Sequence, residues 1–332
     1  MNFNYQKICA DLLKGLPQRT TGVIERRFGL RAGQRETLET IGQSYDITRE
    51  RVRQIEVEGF SKIKLRIKEN QKLFKYFEEV LISFGGLKKE DDLLQSLGGN
   101  KLQNNIFFLL FNGDRFNRFP EDKDFYSFWA VKKESVNQAK KVVKSTINRF
   151  KKEKRIFSLA ELLKDQNLNE NVFLSYIKIS KQIQKNPEEQ FGLKDWLEIN
   201  PRGVKDRAYL VFKKEEKPLH FTQIAALIEK LPFPSQKGIH TATVHNELIK
   251  DPRFVLVGRG LYALTEWGYT PGVVKDIISI ILKESKKPLS KKEVLEKVLE
   301  QRFVKENTVS LNLQNNDCFV RDSQGRYKVR EA

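Results

Sequence analysis

An internal repeat constrains this chain more than any other feature of its sequence. After residue 70 four stretches share one order: a helix, a second short helix, a third helix, then an aromatic-rich hairpin. In the first, the third helix covers about residues 102–110 and the hairpin RFNRFPEDKDFYSFW ends at Trp129. In the second, SLAELLKD precedes ENVFLSYIKISKQI, and QFGLKDW ends at Trp196. In the third, PLHFTQIAALIEK precedes ATVHNELIKD, and RFVLVGRGLYALTEW ends at Trp267. In the fourth, PLSKKEVLEKVLEQ precedes ENTVSLNLQNN, and CFVRDSQGRYKV closes near Tyr327. Lys-Pro-Leu recurs at 217–219 and 287–289. A unit of this size buries a small core of its own, so the chain reads as a string of modules.

Composition agrees. Of 332 residues 39% are hydrophobic and 31% charged, against the usual ~45–50% and ~25%. That mix suits several small, charge-rich modules, and 23 Phe, 9 Tyr and 3 Trp exclude a disordered polymer. Three helices closed by a turn-centred hairpin form the winged-helix pattern, with Gly258-Arg259-Gly260 and Ser323-Gln324-Gly325 as wing tips. The tryptophans read as wing and core residues. The fold class expected is mainly α: a helix-turn-helix domain followed by tandem winged-helix (α+β) domains. The boundaries expected are 1–70, 71–135, 136–200 (with a basic first helix), 205–270 and 271–332.

The net charge is +18 with pI about 9.7. Such a surplus points to a polyanionic partner, nucleic acid before membrane; a merely solubilising surface is the alternative. The surplus is concentrated at residues 131–155, with ten Lys/Arg against two acidic residues. Val136, Ala139, Val142, Val143, Ile147 and Phe150 keep helical spacing there, so the segment reads as a basic amphipathic helix. Its charged side is either a solvated face or a phosphate contact. Cys9 and Cys318 lie at opposite ends, which excludes a disulfide framework and a paired-cysteine metal motif. The N-terminus has no apolar signal core, and the longest apolar runs, 106–111 and 277–282, fall far short of the ~18 residues needed to span a bilayer. A cytoplasmic, nucleoid-associated protein is expected, without a membrane partner.

Residues 19–66 read as a helix-turn-helix. TLETIGQSY is the supporting helix, Asp46-Ile47 lies in the turn with Ile47 inward, and Thr48 caps a second helix running to Arg66. At about 100° per residue, Val52, Ile55 and Gly59 share the packing side. Glu50, Arg53, Gln54 and Val57 lie opposite, with Arg49 at the exposed N-terminal end. Arg bonds guanine bidentately, Gln bonds adenine, and Glu accepts from the cytosine amine, so this face suits the major groove. An ordinary exposed charged face is the competing reading.

The stretch resembles region 4 of the primary-type bacterial sigma factors. RFGL at 27–30, TLETIG at 37–42, ITRERVRQIE at 47–56 and the basic KIKLR at 62–66 carry the resemblance, which covers residues ~10–70. It implies a helix-turn-helix that reads a −35 promoter element in double-stranded DNA and docks on the flap of the RNA polymerase β subunit. Arg49, Glu50 and Gln54 occupy the base-reading positions. Arg27, Arg51 and Arg53 occupy positions that contact phosphate or support the helix, with Thr48, Lys62 and Lys64 as further backbone or support residues. A complete sigma factor also carries an aromatic-rich helix that melts the −10 element. No such segment is found before or after region 4, so the chain is not expected to initiate transcription alone.

Residues 218–268 carry a second resemblance, to the HARE-type winged helix found in the RNA polymerase delta subunit. Phe221-Thr-Gln-Ile224, Thr243-Val-His245-Asn-Glu247-Leu248 and Gly258-Arg-Gly-Leu-Tyr-Ala263-Leu carry it, within a domain of about 210–270. Lys237, His240, Thr241 and Thr243 at the third helix and Arg259 at the wing tip are secondary DNA-contact candidates. Glu247 and Asp251 argue against a tight groove fit there, leaving protein binding open. The overall reading is a DNA-binding regulator of transcription initiation. The alternative is a delta-like polymerase accessory that touches DNA non-specifically.

No enzyme signature accompanies these motifs. His240 and His245 are five apart and share no helical face, and Asp91-Asp92 and Glu188-Glu189 are adjacent pairs whose side chains diverge. There is no phosphate-cradling loop and no nucleophile elbow. No catalytic residue, metal, cofactor or small-molecule ligand is expected.

Overall fold

The computed structural model describes residues 3–31, 33–164, 166–233, 238–285 and 287–330. It is mainly helical, with small antiparallel sheets. Two compact units are present, Met1–Lys185 with Glu189–Lys194, and Asn186–Glu188 with Asp195–Ala332.

The first unit opens with α1 (Tyr5–Leu13), α2 (Gln18–Phe28), α3 (Leu38–Ser44) and α4 (Arg49–Ile67). A 3-10 turn at Lys68–Asn70 leads to α5 (Gln71–Ser83), β1 (Leu87–Lys89), α6 (Glu90–Gly98), α7 (Gln103–Asn112), β2 (Asn117–Phe119) and β3 (Phe128–Ala130). Both β1 and β2 pair antiparallel with β3. Next come α8 (Lys133–Glu153), α9 (Leu159–Leu163), α10 (Glu170–Lys178) and the hairpin β4 (Ile183–Lys185)–β5 (Phe191–Leu193). Phe157, between α8 and α9, bridges to Phe191 of β5.

The second unit repeats the order twice. α11 (Gly203–Glu215), β6 (Leu219–His220), α12 (Phe221–Glu229) and α13 (Thr241–Lys250) precede β7 (Phe254–Gly258) and β8 (Leu261–Leu264), with β8 central. α14 (Val274–Glu284), α15 (Lys291–Gln301) and α16 (Glu306–Leu313) precede the hairpin β9 (Phe319–Arg321)–β10 (Tyr327–Val329). Leu289, between α14 and α15, bridges to Tyr327 of β10.

Each stretch thus runs helix, strand or single bridge, two helices, hairpin, and the second hairpin strand always pairs with the segment after the first helix. The tryptophans do not keep one position in this repeat. Trp196 and Trp267 lie three residues beyond the last hairpin strand, whereas Trp129 lies within β3, buried and paired with Lys88 and Arg118. Two module starts also differ from expectation. α8 opens at Lys133 and α11 at Gly203, ahead of 136 and 205. In α8 the first turn before Val136 carries no apolar residue, so the pattern shows only once burial begins, whereas in α11 Val204 already packs against the module core.

The expected boundary at residue 70 does not separate two cores. One hydrophobic cluster joins Leu12, Ile24, Phe28 and Ile63 of the first four helices to Phe77, Ile106, Phe108 and Trp129. α7 supplies the junction: Ile106 to Leu110 are all buried, and the helix packs on α1, α2 and α4. Phe28 meets Phe107, Phe108 and Phe111 with ring centroids 5.2–5.9 Å apart. α10 is also covered, packing on α8 and β1. The Ser175 hydroxyl donates to Leu87 O at 2.7 Å and the Tyr176 hydroxyl to Gly85 O at 2.9 Å. The third helices of the first two modules are therefore consumed by packing.

Candidate nucleic-acid interface

α3, the turn and α4 build the site. Thr37 caps α3, its hydroxyl accepting from Thr40 N–H at 3.1 Å. Thr48 caps α4, accepting from Arg51 N–H at 3.2 Å, an arrangement worth about 1 kcal/mol. Thr48 stays exposed, and its own O–H remains able to donate. Asp46 takes a left-handed φ of 52° in the turn. Gly42 is dictated by close approach: a Cβ there would lie 2.7 Å from the Ile47 carbonyl oxygen, which accepts no displacement without moving the start of α4. Gly59 does the same where α4 crosses α2, its Cβ position lying 2.7 Å from Ile24 Cδ1. Val23, Ile41, Val52 and Ile55 form the small core between the helices, with Ile47 packed against it.

Opposite that core, Arg49, Glu50, Arg53, Gln54 and Val57 are exposed. The face is pre-organised by two internal pairs. Arg53 grips Glu50 with both Nε and Nη2, at 2.9 and 2.7 Å, and this holds the Glu50 carboxyl below its usual range. Arg51 Nη1 donates to Gln54 Oε1 at 3.0 Å, which leaves the Gln54 amide N–H groups and one carbonyl lone pair for a base edge. Val57, 52% exposed, adds an apolar contact suited to a thymine methyl.

The support residues divide. Arg27 is a strut: its Nη1 donates to Glu36 O at 2.9 Å and its Nε lies 3.6 Å from Glu56 of α4. Burial pushes the Glu56 carboxyl above its ordinary range, against the pull of Arg27. Lys62 and Lys64 are exposed but lie about 160° apart around the helix at ~100° per residue, so they do not serve one phosphate strand together. Lys64 sits 3.4 Å from Asp114.

Sequence reasoning missed the clamp behind this face. Arg26 holds Glu36 bidentately at 2.8 and 2.6 Å, keeping the Glu36 carboxyl low. Arg19 and Arg26 both lie over the Tyr45 ring, 5.4 and 5.5 Å from its centroid. Asn104 of α7 donates to Gly29 O and Gly33 O, at 3.0 and 2.9 Å, and accepts from Arg35 Nε at 2.9 Å. Its distance along the chain gave no signal.

Among the secondary candidates, Thr243 and Arg259 are exposed and Thr241 is half-buried; Lys237 lies outside the described residues. Asp251 is not the free acid expected. Arg253 holds it at 2.7 Å and Asp206 at 2.9 Å, so the carboxylate is spent inside the module. His245 is a packing residue, with Phe221 and Tyr262 rings 4.5 and 5.9 Å away. No group of His, Cys, Asp and Glu suited to a metal ion occurs among the described residues, nor any helix long and apolar enough to cross a membrane.

The capped second helix, its tight turn and its polar outward face define a helix-turn-helix DNA-binding module. Residues 12–65, about one sixth of the chain, match the family model for sigma-70, region 4. The match gives the chain a DNA-binding, transcription-related role.

Proposed function

We propose that the chain is a cytoplasmic, nucleoid-associated regulator of transcription initiation that reads a −35-type site in double-stranded DNA and contacts the RNA polymerase core through the β-flap. Arg49, Glu50 and Gln54 read bases, while Thr48, Arg51 and Arg53 serve the backbone or hold the readers. The observation that carries this reading is the exposed, internally ordered polar face of α4 within the stretch matched to region 4. The four later modules are read as winged helices, the one at 205–270 of the HARE type, with Thr241, Thr243 and Arg259 as lesser phosphate contacts. A delta-like role that touches DNA non-specifically is the second reading. Ile249, 63% exposed on α13, favours it as an apolar protein contact.

Selection of bound sequences from random duplexes at ~150 mM salt, a physiological ionic strength, with and without core polymerase, tests both. A recovered −35-like motif, weakened and relaxed by ~1–3 kcal/mol in Arg49→Ala or Gln54→Ala, is the expected result. No motif in either arm moves the role to the delta-like reading. Lower affinity with unchanged preference in Arg49→Ala removes the base-reading assignment.

A further inference from the structure

The second module buries its third helix yet carries the densest positive charge of the chain, and that charge is on its first helix, α8. The helix is 21 residues long, about 31 Å at 1.5 Å per residue. Its inward stripe is Val136, Ala139, Val142, Val143, Thr146 and Phe150. Lys133, Lys140, Lys141, Lys144, Lys151 and Lys152 are all exposed on the other side. At ~100° per residue they fall within an arc of about 120°, centred nearly opposite the inward stripe, and span about 28 Å.

None of these six lysines makes an ion pair among the described residues. Lys140, leaning over the Phe125 ring at 5.3 Å, is the one that interacts with a carboxylate, that of Asp122. The arginines of the same helix end differ: Arg149 and Arg155 are paired with Glu153, and Arg155 also with Glu161. Clustered ammonium groups on a rigid rod, five of the six without a carboxylate partner among the described residues, repel one another, a cost that a solubilising surface avoids by mixing signs. A membrane surface is disfavoured, because a helix lying on a bilayer needs an apolar face to insert and that of α8 is spent in the core.

We infer that the outer face of α8 is a second duplex-binding surface, a straight lysine stripe that lies along one side of the duplex and meets the phosphates that border its grooves. The first helix of this module, not its third, would carry the contact. A lysine is a compact point charge that bonds phosphate without fixing a base, so the stripe supplies affinity without preference. The inference rests on the DNA-binding reading above for the identity of the ligand.

The test is a full-length variant with Lys141, Lys144, Lys151 and Lys152 changed to Gln, compared with one carrying Gln at Lys291, Lys292, Lys297 and Lys305, which removes the same charge elsewhere. Binding to a random-sequence duplex is followed from 50 to 300 mM salt. Each lost phosphate contact flattens the slope of log K against log salt by ~0.9 and costs roughly fivefold at 150 mM. The stripe variant should therefore lose two to three contacts' worth of slope and about 25- to 125-fold in affinity, with a melting temperature held or raised by the relieved repulsion and an unchanged selected motif. An unchanged slope, or equal losses in both variants, overturns the inference while leaving the DNA-binding reading intact. Failure of the unaltered chain to bind any duplex overturns both. Binding of the unaltered chain to anionic vesicles with no effect of the stripe on duplex binding assigns the face to lipid and likewise overturns it.

Discussion

Replacing Phe108 by Ala should destabilise the helix-turn-helix from a distance of forty residues in sequence. Phe108 is fully buried in α7, and its ring meets Phe28 of α2 edge-on, 5.2 Å between centroids. Truncating a buried Phe to Ala costs ~3–5 kcal/mol, of which the edge-to-face pair accounts for ~0.5–1.5 kcal/mol. The site has little room to relax, because Phe108 belongs to one buried cluster with Ile24, Ile63 and Phe77, each fully buried. If α1–α4 and α5–β3 open as one unit, amides in α4 around Ile63 should exchange ~10²–10⁴ times faster, a tenfold per 1.4 kcal/mol. Amides of α7 should accelerate by the same factor. Native-state hydrogen exchange by mass spectrometry resolves the two helices. Acceleration in α7 with α4 unchanged would refute the shared core and restore a domain boundary near residue 70.

Two further expectations concern titrating groups. Arg27→Ala should cost roughly 1–2 kcal/mol at neutral pH, discounted because Arg27 is 38% exposed, since it strips the pairing from a half-buried carboxylate. Glu56 has a raised folded-state pKa, so its unfavourable charged form is relieved as pH falls through that value; the penalty of Arg27→Ala, read by urea melts, should shrink at acid pH and persist above the ordinary Glu range. Burial pushes the Cys9 thiol up to about 12, whereas Cys318 is half-buried, so a thiol reagent at pH 8 should label Cys318 and spare Cys9 until the chain unfolds; prompt labelling of Cys9 would contradict the packing of α1 on α7.

Much of this was legible in the residues because the determinants are local. Thr48 as cap, Val52, Ile55 and Gly59 on the packing side, and the basic amphipathic helix from Val136 to Phe150 follow from spacing alone. What was not legible depends on contacts between distant segments. Arg27 reads as a phosphate contact or a support, and only the placement of Glu36 and Glu56 makes it a strut. Asp251 reads as a repulsive acid until Arg253, which also holds Asp206, closes on it. A tryptophan at the end of three hairpins suggests equivalence, yet Trp129 fills the shared core and Trp196 and Trp267 follow their hairpins.

The third helices of the four modules show what such a sequence can still say. A three-helix module closes its own core with about two apolar residues from that helix, which is what α13 and α16 bury: Val244 and Leu248, Val309 and Leu313. α7 buries five apolar residues in succession, and α10 buries Val172, Phe173, Tyr176 and Ile177. An apolar run covering more than one side of a helix requires a second partner surface, and both helices have one, α7 on α1, α2 and α4, α10 on β1. The excess apolarity of the run QNNIFFLLFN is therefore evidence against an exposed recognition helix. Where the third helix is spent on assembly, charge available for a polyanion must reside elsewhere in the module, and α8 is where the second module carries it.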